Sequence, residues 1–73
     1  MIQVNDKRIP YTENQTVEQL VRLLKEEQHF AMVFTLGECI VMRNGRIIPQ
    51  AKRSEVIVGD QDQFTMFPIV SGG

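Results

Sequence analysis

The chain closes on Ser71-Gly72-Gly73, and no other residues in it offer chemistry as directly through their type and spacing. Glycine has no Cβ, so a Gly-Gly segment enters a channel too narrow for other residues and takes backbone conformations closed to them. At the end of such a segment the α-carboxyl of Gly73, with an ordinary pKa of about 3.5, is ionised at neutral pH. In another protein's active site this carboxylate can attack the α-phosphorus of ATP. The resulting acyl-adenylate carries AMP as a leaving group that a sulfur nucleophile can displace, and the tail is then a substrate. Residues 71–73 extend to about 10 Å, enough to enter a partner's pocket while a folded body stays outside. The competing reading is a flexible terminus without a role, so the remaining residues must decide.

They supply no rival chemistry. The chain has one histidine, no glycine-rich phosphate loop and no His, Cys and carboxylate spacing that would hold a metal. Cys39, beside Ile40, reads as a small buried hydrophobe. Being the single cysteine it excludes an intrachain disulfide, and a reducing cytoplasm is the compartment expected. His29 is expected to cap a helix C-terminus, Glu26-Glu27 to lie on a solvated helix face, and Glu38, Asp60 and Asp62 to sit in turns. The eight Lys and Arg residues are scattered over 73 positions with a net charge of −1, so no basic face exists for a nucleic acid. Charge interrupts Met1 to Lys7 where a secretion signal needs an apolar stretch, and the longest apolar run, Phe30 to Phe34, is far too short to span a membrane. A chain of this length forms one domain, 1–73, with a small core and a flexible tail at 71–73. It is not expected to be an enzyme or to bind a cofactor of its own.

The elements that must position the tail follow from periodicity. Ile2 and Val4 alternate with Gln3, Asn5-Asp6-Lys7 supply a turn, and Ile9 and Tyr11 alternate around Pro10, which predicts an opening β-hairpin with its second strand at a sheet edge. Thr16 and Gln19 fit a capping box. Behind them Val17, Leu20, Val21 and Leu24 form one apolar helical stripe, predicting a helix from Val17 to about Gln28. Strands are expected near 32–36 and 39–43. Asn44-Gly45 then signals a tight hairpin, Ile47-Ile48 continue to Pro49, residues 50–54 are polar, and 56–58 are a short strand or an extended segment. After a Gly59-Asp60-Gln61-Asp62 turn, Phe64 to Val70 make the last strand, with Phe64 and Met66 toward the helix. Phe67 and Ile69 then face away from it, as an apolar patch beside the tail that suits a partner, unless the Phe30 to Phe34 segment covers them. The order hairpin, helix, strands implies an α+β fold with one helix on one face of a mixed sheet.

The hairpin, the capped helix, Asn44-Gly45-Arg46-Ile47-Ile48-Pro49, the acidic turn before the last strand and Gly72-Gly73 together resemble the ThiS branch of the ThiS/MoaD sulfur carriers over nearly the whole chain. The resemblance implies a β-grasp, ubiquitin-like fold. It also implies that an E1-like adenylyltransferase, using ATP and magnesium, adenylates Gly73. A sulfur donor such as a cysteine desulfurase then converts Gly73 to a thiocarboxylate, which delivers sulfur to thiazole synthase in thiamine biosynthesis. Ser71, Gly72, Phe67 and Ile69 would contact these partners, with no membrane or nucleic acid involved. The sequence departs from the family pattern in three places. Gln61 stands where the acidic turn has glycine, unless the turn shifts onto Gly59. Residues 30–38 lengthen the link to Asn44, as an extra hairpin or a partner contact. Pro68 falls in a strand that a β-grasp sheet places centrally, which requires pairing on one side to have ended near it.

Two other readings stay open at this level. One is a MoaD-like carrier for molybdopterin or for another thiolation or conjugation route, less favoured because the chain lacks an Arg-rich segment after the first strand. The other is a noncovalent interaction module that uses the apolar open face and for which the glycines are only flexible.

Overall fold

A computed structural model describes residues 1–69. Its elements are β1 (Ile2–Val4), β2 (Lys7–Ile9), α1 (Val17–Leu24), β3 (Cys39–Arg43), β4 (Arg46–Ile47) and β5 (Gln63–Pro68), with 3-10 turns at Gln28–Phe30 and Gln50–Lys52. The five strands form one mixed sheet in the order β2-β1-β5-β3-β4. β1 runs parallel to β5 in its interior, while the β1–β2, β3–β4 and β3–β5 pairs are antiparallel. This is the β-grasp arrangement, with one helix across one face.

The opening hairpin is tighter than expected. Val4 pairs with Lys7, so Lys7 belongs to the strand, and Asn5 accommodates the two-residue turn at φ +55°. β2 stops at Ile9, ahead of Pro10 and Tyr11, at the sheet edge where an amide-free residue does least harm. Asn44 and Gly45, at φ +51° and +86°, make the tight β3–β4 turn.

Helix α1 begins as predicted: Thr16 Oγ1 accepts the Gln19 N–H at 3.1 Å, and Gln19 Oε1 accepts the Thr16 N–H at 2.9 Å. It ends at Leu24, four residues early. Beyond it the Glu26 and Glu27 amides bond three residues back, to Leu23 and Leu24, and the chain turns so that Phe30 enters the core at 1% exposure. Lys25 to Gln28 are good helix formers, but one further turn of helix is marginal in water. Burying a phenyl ring contributes about 2–3 kcal/mol, and burial wins.

No strand forms at 32–36. Val33, Phe34 and Gly37 donate to carbonyls three residues back, and Thr35 Oγ1 donates to the Ala31 and Met32 carbonyls. The backbone is thus satisfied locally and needs no ladder. Phe30 and Val33 join the core through this irregular segment. Residues 56–58 contribute only a single bridge, Ile57 to Thr16.

The core lies between sheet and helix. Ile2, Val4, Cys39, Val41, Phe64 and Met66 point from the strands to Val17, Leu20, Val21 and Leu24, and Ile48 and Val58 help to close the perimeter. Pro68 is reconciled by alternation. Even-numbered residues of the last segment aim their backbone at β1: the Asp62 carbonyl accepts from Gln3, the Phe64 carbonyl accepts from Asn5, and Met66 exchanges two bonds with the Asn5 side chain. Pro68 is next on that side, where β1 has already ended. The odd-numbered side still pairs with β3, and the Ile69 N–H donates to the Glu38 carbonyl at 3.3 Å.

Asp62 ties the acidic turn to β3. One carboxylate oxygen accepts the Gly59 N–H at 2.7 Å and faces Arg43 Nε at 2.9 Å. A Cβ at Gly59 would stand 3.3 Å from that oxygen, so a larger residue there requires the Asp62 carboxylate to give by a few tenths of an ångström. The left-handed residue of the turn is instead Gln61, at φ +68°. The turn is therefore not shifted onto Gly59, and Gln61 adopts the conformation that glycine would take without strain. Asp62→Ala leaves the Gly59 amide and Arg43 without this acceptor and is expected to lower stability by about 2 kcal/mol in urea denaturation. A loss below about 0.5 kcal/mol, the size of an ordinary surface change, would contradict this role.

Candidate functional site

With one α-helix among the described residues, they cover only one face of the sheet. On β5 the side chains alternate as the sequence implies: Phe64 and Met66 are buried, while Thr65 and Phe67 are exposed. Phe67 stands directly opposite Ile40 on β3, and Met42 stands opposite both Thr65 and Ile47. Ile40, Met42, Ile47 and Phe67 therefore share the open face, with Ile69 following by strand alternation. Phe67 and Ile69 keep 39% and 38% of their surface exposed, and Ile47 64%. The Phe30 to Phe34 segment does not cover them, because Phe30 and Val33 are spent on the core.

Of the residues expected at the site, Phe67 and Ile69 are thus on the surface at the end of the last strand. Ser71, Gly72 and Gly73, with the expected tail at 71–73 and the last residue of the expected strand, Val70, lie outside the described residues. Ile40, Met42 and Ile47 escaped sequence reasoning because residues 39–42 are apolar on both faces, which hides the period of two. Only the pairing register separates Cys39 and Val41, which face in, from Ile40 and Met42.

Among the described residues no competing reactive centre emerges. Cys39 is buried at 2% exposure, and burial pushes its thiol pKa up, against a smaller opposing pull from Arg53. It is a protonated packing residue at neutral pH. His29 caps no helix. Its Nε2 lies 3.2 Å from Asp6 Oδ1, and its ring meets Phe30 edge-on. The same hydrogen bond holds the exposed Asp6 carboxyl below its ordinary pKa. No three His, Cys, Asp or Glu side chains among the described residues cluster as metal ligands. No described helix is long and apolar enough to cross a membrane.

A family description, that of the ThiS family, matches residues 2–73. Among solved structures, the chain resembles the thiamine biosynthesis protein ThiS from Geobacter metallireducens, with a TM-score of 0.71 and 22% identity, over 99% of this chain and 97% of that one. At that identity the likeness speaks to the fold. No curated protein matches the chain.

Cys39 gives the site a simple check. In the folded protein its alkylation should be orders of magnitude slower than in denaturant, because a buried protonated thiol reacts only through opening. Native-state labelling as fast as that of the unfolded chain would restore Cys39 as a reactive centre.

Proposed function

The chain belongs to the ThiS family, and from that membership we propose that it is a sulfur carrier of thiamine biosynthesis whose reactive group is the terminal carboxylate of Gly73. An E1-like adenylyltransferase supplies ATP and magnesium. A Gly73 carboxylate oxygen attacks the α-phosphorus, the bond to pyrophosphate breaks, and a mixed anhydride with AMP forms. The terminal sulfur of a persulfide on a donor such as a cysteine desulfurase displaces AMP to give an acyl disulfide, a thiol then attacks the donor's sulfur to form a disulfide with it, and the thiocarboxylate so released delivers sulfur to thiazole synthase. The protein is a co-substrate in each step and holds no cofactor of its own.

The observation that carries this reading is the family match running through Gly73. The described body is consistent with it. Its one thiol is buried and cannot compete for activation, and an apolar face opens beside the strand that leads to the tail. Phe67, Ile69, Ser71 and Gly72 are the residues proposed to meet the partners, and glycine at 72 and 73 gives the narrow profile that a threaded tail needs. Membership in the ThiS branch is the reason to name thiazole formation over molybdopterin as the destination.

Incubation with the adenylyltransferase, ATP and a sulfur donor should shift the intact mass by one oxygen exchanged for sulfur, and deletion of Gly73 should abolish the shift while leaving the melting curve unchanged. An unchanged wild-type mass with an enzyme proven active on its own carrier would refute the reading. Phe67→Ala should weaken adenylyltransferase binding by about tenfold, as loss of an aromatic anchor does at an interface centre. Affinity equal to wild type would remove the open face from the docking surface.

A further inference from the structure

Arg53 carries a buried guanidinium that nothing among the described residues neutralises. It is 8% exposed and belongs to none of the ion pairs found among those residues. Nη2 donates to the Cys39 carbonyl at 2.6 Å, while Nε is buried without a hydrogen-bond partner among the described residues. A buried charge is costly unless it is paired and hydrogen-bonded. Nothing in the sequence hints at this, since residues 50–54 read as a polar connection.

The side chain lines a cleft of about 180 Å³ between α1 and the Gln50–Lys52 turn, together with Arg22, Lys25, Glu18, Glu38 and Gln50. Three cations thus face two carboxylates, and both carboxylates are engaged: Glu18 lies 3.5 Å from Arg22, and Glu38 accepts from Gln50 Nε2 at 3.0 Å. Lys25 enters no ion pair among the described residues either, and its ammonium sits 5.9 Å from the Phe34 ring centre. The cleft adjoins the route to the tail, because Glu38, one of its walls, accepts the Ile69 N–H through its carbonyl at 3.3 Å.

We propose that this cleft receives an acidic side chain of the adenylyltransferase that takes the tail, with the carboxylate held between the Arg53 guanidinium and the Lys25 ammonium. The inference rests on the carrier reading and adds a second, polar anchor on the helix side of the body. Charge complementarity selects an anion, and arginine favours a planar carboxylate. Size narrows the source: at about 180 Å³, below the roughly 300–1,000 Å³ of small-molecule sites, the cleft suits one side chain.

Arg53 is too deeply placed for a clean variant, so the test falls on exposed Lys25. Lys25→Glu should weaken adenylyltransferase binding by about tenfold at low ionic strength, with Lys25→Gln between it and wild type, and the differences should shrink in high salt. The Phe67→Ala defect should persist in high salt, and the Lys25 variants should melt like wild type. In a parallel titration of the free protein, inorganic phosphate or ATP at millimolar concentration should leave the Arg53 Nε–H resonance unmoved. Saturable shifts with either would make the cleft a small-anion site and overturn the assignment. If wild type is adenylated normally and Lys25→Glu binds within about twofold of it at low salt, the cleft inference alone fails. If wild type is neither bound nor adenylated, the carrier reading fails and takes the cleft with it.

Discussion

One eight-residue helix must cover a five-stranded sheet, and this shortfall shapes the rest of the molecule. At 1.5 Å per residue the helix is about 12 Å long, enough for one face and only part of that. The remaining cover comes from side chains on irregular segments: Phe30 and Val33 from the link after α1, and Ile48 and Val58 from either side of the Gln50–Lys52 turn. The other face receives nothing among the described residues, so Ile40, Met42, Ile47 and Phe67 stay at the surface. The same arrangement that completes the core leaves an apolar face open along β5 and β3.

The parallel β1–β5 pair at the sheet interior fixes the course of the last strand. β1 is only three residues long, and the Asn5 side chain extends its pairing to Met66 by imitating one further strand residue. Beyond Met66 the β1 side of β5 is unpaired, Pro68 costs no hydrogen bond, and β3 alone guides the chain to Ile69. Asp62 holds the other end of β5, binding the turn that precedes it to Arg43. The last strand is therefore anchored at its start and released on one side toward its end.

Much of this was legible in the sequence wherever a local rule and the tertiary demand agree. The capping box at Thr16 and Gln19, the Val17 to Leu24 stripe, the Asn44-Gly45 turn and the alternation of Phe64 to Phe67 each state their structure directly. Reading failed where two requirements compete. Lys25 to Gln28 favour helix, but burial of Phe30 ends it. The apolar run 30–34 has no period that separates a strand from a core-filling turn. Arg53 shows no sign in the sequence of being buried, since its environment is assembled from α1, β3 and the turn before it. At the candidate site, Phe67 and Ile69 could be placed by alternation, whereas Ile40, Met42 and Ile47 needed the pairing register.

Among the described residues the one thiol is buried and protonated, and the one histidine serves Asp6. The proposed function depends on the Gly73 carboxylate being activated in another protein's site. The most direct measurement is isotope exchange between pyrophosphate and ATP catalysed by the adenylyltransferase, with this chain added and no sulfur source present. The account predicts exchange that requires the chain and vanishes when Gly73 is removed, since only reversible formation of the acyl-adenylate returns label to ATP. Exchange that proceeds equally with the shortened chain would contradict it.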